Sequence, residues 1–306
     1  MKPKLLLYLT LVLSALAVSA RPEFIYVTNS DNTITITGCT DSGSVIVPST
    51  INGLRVTSIG NFAFGRHPTI TSVSIPDSVT NIGDGAFTAV DTGSGLTNIV
   101  IGNGVKSIGH NAFQFCEKLT VIKIPSQVTS IGIMAFGGCF GLKEIIVDTN
   151  NAAFITSDGV LFNKNRTALI QFPPGKAGDC VIPEGVTNIA HLALWNCPHL
   201  TSVTIPEGIT SIGDEEFAAC SSLTTVIIPA SVTNIGQNAF NSCVSMKSIY
   251  FRGNAPDYGE YWRGGRAKIL GGLDTGTVYY LAGTMGWGTN FGGRPTALWN
   301  SQIMKP

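Results

Sequence analysis

The hydrophobic positions of this chain recur in a fixed pattern. A run of the form Leu-x-x-(Val/Ile)-x-(Ile/Val) is followed by Pro, then by Val-Thr-x-Ile-Gly, and then by a segment that contains Ala-Phe and ends in Cys. The stretch from Leu119 to Cys139 shows the whole pattern, and Leu142 begins the next copy 23 positions after Leu119. The pattern therefore predicts an internal repeat with a 23-residue period.

The first residue of each Val-Thr-x-Ile-Gly element measures this period along the chain. Successive spacings are 23, 26, 23, 58, 23 and 23 residues, between Val56, Val79, Val105, Val128, Val186, Ile209 and Val232. The spacing of 26 contains three extra residues near 91–95. The spacing of 58 equals 23 plus 35, so it hides a further, degenerate coil that carries an insertion over 148–180.

Each segment of the repeat predicts a local structure. The Leu run is rich in β-branched residues and is closed by Pro, which is typical of a short strand. Its last two apolar positions should point inward and the residue between them outward. Val-Thr-x-Ile-Gly predicts a second short strand, and Gly-x-x-Ala-Phe-x-x-Cys a tight helical turn. The nearly constant Phe predicts a stacked internal ladder.

A single coil of this kind buries too little apolar surface to offset the entropy that its backbone loses on folding. Stacked coils share their buried surfaces and can form strand hydrogen bonds with one another. The repeat therefore predicts a quasi-one-dimensional stack, a β-rich solenoid that needs a cap at each end.

The repeat units resemble the bacterial leucine-rich repeats of BspA type. The pattern of that family is close to Leu-x-x-Ile-x-Ile-Pro-x-x-Val-x-x-Ile-Gly-x-x-Ala-Phe-x-x-Cys, and seven units match it over about 45–251. The resemblance implies a right-handed leucine-rich-repeat superhelix with 23-residue repeats, short strands and short helical turns. It also implies a surface or secreted protein used in adhesion and recognition.

The first twenty residues predict a secretory signal peptide. Two lysines precede an apolar run at 5–13, and small residues follow as far as Ala20, so cleavage is expected after Ala20 or, as a second choice, after Ala17. The apolar run is shorter than the 20 or so residues that a membrane helix needs. We therefore expect a secreted or surface-associated protein with no membrane span in the mature chain.

The remaining segments predict a cap at each end of the solenoid. Residues 21–55 form the N-terminal cap and first strand, with a hairpin predicted from the alternating runs at 24–28 and 33–37. The solenoid covers 56–251, and its insertion is interpreted as a coil with a protruding hairpin. That hairpin is either a surface loop or a ligand contact. Residues 252–306, rich in Gly and aromatics, form the C-terminal cap, with sugar stacking as the alternative role.

Composition excludes some classes of partner. Only 38 of the 306 residues are charged, with 19 Lys and Arg against 19 Asp and Glu, so the net charge is zero. A chain without a basic surface has no electrostatic attraction for nucleic acid, and we expect no nucleic-acid partner. Small uncharged polar residues and 35 glycines take the place of charge.

Seven cysteines in an exported protein raise the question of disulfides. Five of them occupy the same repeat position and should form a buried column whose side chains point the same way, not at each other: Cys116, Cys139, Cys197, Cys220 and Cys243. We interpret them as small buried thiols. Cys39 and Cys180 lie outside the column, and the sequence leaves their pairing open.

Residues that could support catalysis are scarce. The four histidines make no metal site, since His110 and His191 share a repeat position but lie several coils apart, and no known nucleophile, metal or phosphate-binding motif is present. Glu216 occupies a position that is Ala in most other repeats, and it lies beside Glu215. An acid pair is one interpretation, but we expect a local bend that carries Glu216 to solvent because burying a charge is costly. No cofactor and no enzymatic activity are predicted.

The outward face of the strands is the candidate ligand face. The outward residues between the two inward positions combine aliphatic, aromatic and hydroxyl side chains with little charge: Val100, Lys123, Ile146, Thr204, Ile227 and Tyr250. Such a stripe suits an extracellular protein or glycan, although it could be an unused face. The favoured function is a non-enzymatic exported binding protein. The alternative is a structural or spacer module of a surface assembly without a soluble ligand.

Overall fold

The repeats form a stack of about ten coils in a computed structural model, which describes residues 23–90, 93–258 and 276–300. The predicted signal peptide lies outside the described residues, as do 259–275 and 301–306 of the predicted C-terminal cap. Among the described residues, no helix has the length and hydropathy needed to cross a membrane.

The described residues form 26 short strands, whose bounds are as follows: β1 (Phe24–Thr28), β2 (Ile34–Cys39), β3 (Gly43–Ile46), β4 (Thr50–Ile51), β5 (Leu54–Ile59), β6 (Ile70–Ser74), β7 (Asn81–Ile82), β8 (Asn98–Val100), β9 (Ser107–Ile108), β10 (Val121–Ile124), β11 (Ser130–Ile131), β12 (Glu144–Val147), β13 (Phe154–Ser157), β14 (Val160–Asn163), β15 (Ala168–Gln171), β16 (Gly178–Val181), β17 (Asn188–Ile189), β18 (Leu200–Thr204), β19 (Ser211–Ile212), β20 (Thr225–Ile228), β21 (Asn234–Ile235), β22 (Ser248–Phe251), β23 (Asp257–Tyr258), β24 (Thr277–Leu281), β25 (Asn290–Phe291) and β26 (Arg294–Trp299).

The Leu runs of successive repeats form the first parallel sheet. It comprises three runs of paired strands, β3-β6-β8, β10-β12 and β16-β18-β20-β22-β24-β26. Equivalent residues pair directly, so that Val203 lies opposite Val226 and Val226 opposite Ile249. Inward and outward residues alternate along each strand, as in β10, where Ile122 and Ile124 are buried and Lys123 is exposed. We call the outward surface of this sheet the strand face.

The Val-Thr-x-Ile-Gly elements form a second parallel arrangement of mostly two-residue strands. The strands β5, β7, β9 and β11 pair in that order, and β19, β21 and β23 form a further run. The predicted N-terminal hairpin is present as β1 and β2, and β2 pairs in parallel with β5. This hairpin therefore caps the first coil on the side of the second sheet.

The segments predicted as helical turns are not helical, and the described residues contain no helix. In a representative coil, Asn111 and Phe115 have φ angles of 55° and 60°, in the left-handed region that interrupts a right-handed helix. The backbone N–H groups of Asn111, Phe113 and Phe115 instead donate to carbonyls of the next coil. These turns thus add a third set of hydrogen bonds between coils.

The predicted phenylalanine ladder fills the interior. The rings of Phe64, Phe87, Phe113 and Phe136 stack nearly parallel, with successive centroid distances of 5.0, 5.1 and 5.8 Å. A second stack pairs two phenylalanines on the other side of the insertion, Phe217 and Phe240, at 5.2 Å. Apolar residues of the two sheets surround these rings and form one core cluster on each side of the insertion.

All seven cysteines are buried free thiols. Those of the column donate to backbone carbonyls, as when Cys139 Sγ bonds to the Phe113 carbonyl at 3.0 Å and Cys243 Sγ to the Phe217 carbonyl at 3.0 Å. Burial raises the pKa of Cys116 and of Cys180 to about 12. Cys39 and Cys180, whose pairing the sequence left open, do not form a disulfide.

We therefore expect the native protein to resist thiol reagents at pH 8. Burial excludes the reagent from all seven thiols, and the raised pKa values of Cys116 and Cys180 also suppress their reactive thiolates. Titration with a chromogenic disulfide should show all seven thiols reacting quickly in guanidinium and slowly without it. The variant Thr204→Cys, whose side chain lies on the exposed strand face, should add one fast thiol. Fast reaction of several wild-type thiols in the native state would contradict the burial.

The insertion is part of the core and does not protrude. Its antiparallel strands β13 and β14 carry Phe154 and Leu161 into the first core cluster and Val160 and Phe162 into the second. Strand order continues through β15, which pairs with β17. The hairpin predicted from 155–162 and 167–173 is present as β14 and β15, but the prediction that it protrudes was wrong, because Leu161 packs in the first core cluster and Phe162 and Leu169 pack in the second. The β13–β14 hairpin joins the two clusters in the same way.

Asn151 fixes the start of this hairpin. Its side chain is fully buried, and its Nδ2 donates to the carbonyls of Pro125 and Val128 at 2.8 and 2.9 Å. Its Oδ1 accepts the N–H groups of Ala153 and Phe154 at 2.8 and 2.7 Å. A single amide side chain therefore satisfies four backbone groups where the regular coil is interrupted.

Candidate ligand face on the strand sheet

Two parallel rows of outward side chains make up the strand face. The first row contains the residue between the two inward positions of each strand: Ile46, Ser74, Val100, Lys123, Ile146, Val181, Thr204, Ile227, Tyr250, Tyr279 and Ala297. The second row lies two residues earlier: Ser44, Ser72, Asn98, Val121, Glu144, Asp179, Ser202, Thr225, Ser248 and Thr277. Within each run of paired strands, pairing places the residues of each row side by side.

Four of the six predicted face residues are open to solvent to some degree. Val100 is 54% exposed, Lys123 and Thr204 are exposed, and Ile146 is half-buried. Apolar side chains exposed to this extent next to hydroxyl groups are available to a ligand without rearrangement of the strands.

The other two predicted residues are not open. Ile227 is 8% exposed and Tyr250 is 9% exposed, because C-terminal residues pack on this end of the strand face. The Tyr250 ring stacks on Tyr279 at 4.9 Å and approaches Trp299 at 5.2 Å. The sequence placed both residues on the accessible face because the repeat pattern is lost after Phe251, so the two further coils that carry Tyr279 and Trp299 were not recognised.

Two exposed aliphatic residues of the first row were missed by the sequence analysis. Ile46 and Val181 are each 69% exposed, more than any of the predicted aliphatic residues. Both belong to coils that lack a full repeat: one precedes the first complete unit, and the other follows the insertion. The signal that could have found them is the apolar alternation of 45–48 and 180–183, which ends in Pro as in the regular strands.

Charge on the two rows is sparse and local. Their charged members are Lys123, Glu144 and Asp179, and the rest are aliphatic, aromatic, hydroxyl or amide side chains. The Thr201 hydroxyl donates to Asp179 at 2.7 Å, and it holds the pKa of Asp179 below its usual value with help from Ser202. The strand face therefore offers hydrogen bonds and apolar contacts and little overall charge.

The hairpin interrupts the first sheet between β12 and β16. The Ile145 N–H donates to the Gly159 carbonyl at the hairpin tip, at 3.0 Å. Beyond the tip lies a cavity of about 60 Å³, with Lys176 and Asp158 paired across it at 3.1 Å. The hairpin thus divides the strand face into two parts, with a small cleft between them.

Glu216 corrects the expectation that its side chain reaches solvent. It is 1% exposed, and its carboxylate accepts the N–H groups of Leu192 and Leu194 at 3.2 Å each. In the regular coil these two donors bond to carbonyls of the next coil, as Asn111 and Phe113 do. Burial raises the pKa of Glu216 to about 7, although the hydrogen bonds from Leu194 and Leu192 oppose the shift. The side chain therefore replaces part of the inter-coil ladder.

The two adjacent acids do not form a catalytic pair. Glu215 is exposed, while Glu216 is enclosed in the core. Elsewhere in the described parts of the chain, no group of three or more His, Cys, Asp or Glu side chains is placed to hold a metal ion. The strand face brings accessible side chains from many coils together on one surface.

A stack of 23-residue coils whose first strands line one side defines a solenoid protein of the leucine-rich repeat class. A family model, the BspA type leucine-rich repeat region, matches residues 37–166 and 176–262 in six copies. The chain therefore belongs to the BspA-type leucine-rich repeat family. Members of this family are typically surface or secreted bacterial proteins.

Solved structures of bacterial proteins share the fold. A leucine-rich repeat protein from Eubacterium ventriosum is 24% identical, with 86% of this chain and 77% of that chain covered and a TM-score of 0.59. The pneumococcal vaccine antigen PcpA is 18% identical, with coverage of 86% and 93% and a TM-score of 0.50. At these identities the likeness shows the fold alone. Comparison with curated proteins gave no match.

Proposed function

We propose that this chain is an exported, non-enzymatic binding protein whose strand face takes an extracellular protein or glycan. The observation that carries the proposal is the row of exposed aliphatic residues at equivalent positions, Ile46, Val100 and Val181, at 69%, 54% and 69% exposure. Exposed apolar groups that are aligned across several coils mark interaction surfaces more often than scattered ones do. Membership of a family of surface and secreted proteins supports export.

The chemistry of the second row favours a weakly charged ligand. Hydroxyl groups lie beside the aliphatic row, and some already bond to one another, as Ser72 Oγ does to Ser44 Oγ at 2.7 Å. Such hydroxyls can donate to or accept from backbone amides or sugar hydroxyls. Because they sit on paired strands, little conformational entropy is lost when a ligand binds. The family and fold are typically non-catalytic, which supports a binding role over an enzymatic one.

The test is a glycan and matrix-protein array probed with residues 21–306. We expect Val100→Glu combined with Val181→Glu to weaken the captured ligand at least tenfold, because two charges would be placed in the apolar row. The matched control is Val244→Glu, since Val244 is 68% exposed but lies outside the first-sheet strands. Circular dichroism melts should agree for the variants and the wild type.

Two outcomes would contradict this function. Equal binding by the double variant and the Val244→Glu control would show that the strand face is not the binding surface. Failure to capture any ligand, together with concentration-dependent self-association in light scattering, would favour a structural or spacer module of a surface assembly.

A further inference from the structure

A groove of about 480 Å³ lies at the N-terminal end of the solenoid. Its walls come from β1, from β3 and the Pro that follows it, and from the β4–β5 hairpin. Phe24 and Ile51 supply apolar surface, and Asn52 Nδ2 donates to the Tyr26 hydroxyl at 2.9 Å across one end. The size of the groove is in the range of ligand sites. It is separate from the centre of the strand face.

Two strand edges open into this groove. In the described part of the chain β3 pairs with β6 alone, and β1 pairs with β2 alone. The Val47 N–H donates to the Ser74 carbonyl of the next coil, so by alternation the N–H of Ile46 points away from β6, at the free edge of β3. Ile46 itself is 69% exposed and lines the groove. The first coil therefore presents unpaired backbone groups beside an apolar wall.

The two ends of the first sheet differ in how their edges are protected. At the C-terminal end, β26 begins with Arg294 and Pro295, and β25 covers these residues by antiparallel pairing. At the N-terminal end, β3 contains neither a charged residue nor Pro. Natural sheets usually protect their edges with such residues because an open edge recruits further strands. Beyond the irregularity between Gly43 and Ser44, the short edge of β3 has no charge or Pro that would block pairing.

We propose that the N-terminal groove is a second binding site, which takes an extended peptide segment of another protein as an added strand along β3. The peptide backbone pairs with the free groups of β3, and its alternate side chains enter the groove against Phe24 and Ile51. The charged residue in the groove lining is Glu23. The site therefore favours alternating apolar residues with a nearby Lys or Arg.

The chain's own repeats supply a probe for this site. Strand β10 pairs in parallel with β12, the strand of the following coil, as an added peptide would pair with β3. It contains Lys123 between two buried isoleucines. A fluorescent peptide that copies residues 118–125, with blocked ends, therefore has the required pattern. We expect it to bind the wild-type protein in fluorescence polarisation below 1 mM. A scrambled peptide and a peptide N-methylated at alternate residues should bind at least tenfold more weakly.

The protein variant that tests the edge is Ile46→Pro. It removes the free N–H without removing a β3–β6 hydrogen bond, and Pro is tolerated where the N–H of an edge strand faces outward. We expect at least tenfold weaker peptide binding. The matched control is Val181→Pro, because Val181 has the same 69% exposure and an N–H that also points away from the neighbouring strand β18. Circular dichroism should show both variants folded.

Three results would overturn strand addition along β3. Equal binding of the N-methylated and unmodified peptides would show that the peptide backbone does not pair, a result that does not depend on the folding of any variant. Loss of binding in Val181→Pro but not in Ile46→Pro would place the peptide at the interrupted sheet instead. Self-association of the wild type that Ile46→Pro abolishes would identify a second copy of this chain as the occupant.

Discussion

We expect Phe113→Ala to lower the free energy of unfolding by about 4 kcal/mol. Phe113 is fully buried, and its ring lies between those of Phe87 and Phe136 at 5.1 and 5.8 Å. Truncation removes the buried ring and leaves a cavity that the coils cannot close, because their spacing is fixed by hydrogen bonds on three sides. Guanidinium unfolding followed by circular dichroism measures the loss.

The chain provides its own control for this substitution. Leu194 occupies the ladder position in another coil and is also fully buried, so the site accepts leucine. We expect Phe113→Leu to cost roughly 1 to 2 kcal/mol, since most of the apolar volume remains. Equal losses in the two variants would show that ring stacking and cavity formation do not determine stability here. A split unfolding transition in Phe113→Ala would show that the coils before the insertion and the coils after it unfold separately.

The second large effect concerns Glu216, whose pKa is raised to about 7 by burial. The ordinary value is 4.5, so between pH 4.5 and pH 7 the folded protein holds a proton that the unfolded chain releases. The stabilising effect of this proton is full below pH 4.5 and is lost as the pH rises through 7. A difference of this size corresponds to about 3 kcal/mol between pH 4.5 and pH 8.

Comparison of the wild type with Glu216→Gln isolates this effect. The glutamine cannot ionise, so its stability should lack the fall between pH 4.5 and pH 8 that Glu216 causes. We expect the difference in unfolding free energy between the two proteins to change by about 3 kcal/mol over that range. The lowered pKa values of Asp31 and Asp179 act below this range and are common to both proteins. An unchanged difference would contradict burial of the carboxyl.

The regular part of the fold could be predicted because each coil repeats the same physical problem. Alternation in a run such as 121–124 fixes which side chains are inside, and the constant Phe fixes the internal ladder. The turns were harder, because residues such as Asn111 and Phe115 adopt left-handed φ angles to bond with the next coil. A single sequence shows the helical spacing of the residues in these turns. It does not show the hydrogen bonds between coils that determine their conformation.

The candidate site was predicted best where the repeat is intact. Val100 and Lys123 lie in regular coils and are exposed as expected, whereas Tyr250 is covered by residues from coils without the pattern. Glu216 was misjudged because the cost of burying a carboxylate was weighed without the two backbone donors that it meets. Both differences come from contacts between coils, which periodicity alone does not reveal.

The hairpin of β13 and β14 has a consequence for how the length of such a chain can vary. In the coils on either side of the hairpin, most residues contact the equivalent residues of the next coil. A whole coil could therefore be duplicated or deleted, and its neighbours would still pack against the same surfaces. The hairpin cannot be duplicated or deleted in this way. Asn151 and Leu161 contact specific partners in the coils before it, and Phe162 packs in the core of the coils after it. Growth of the solenoid is therefore modular on both sides of a junction that cannot itself be copied.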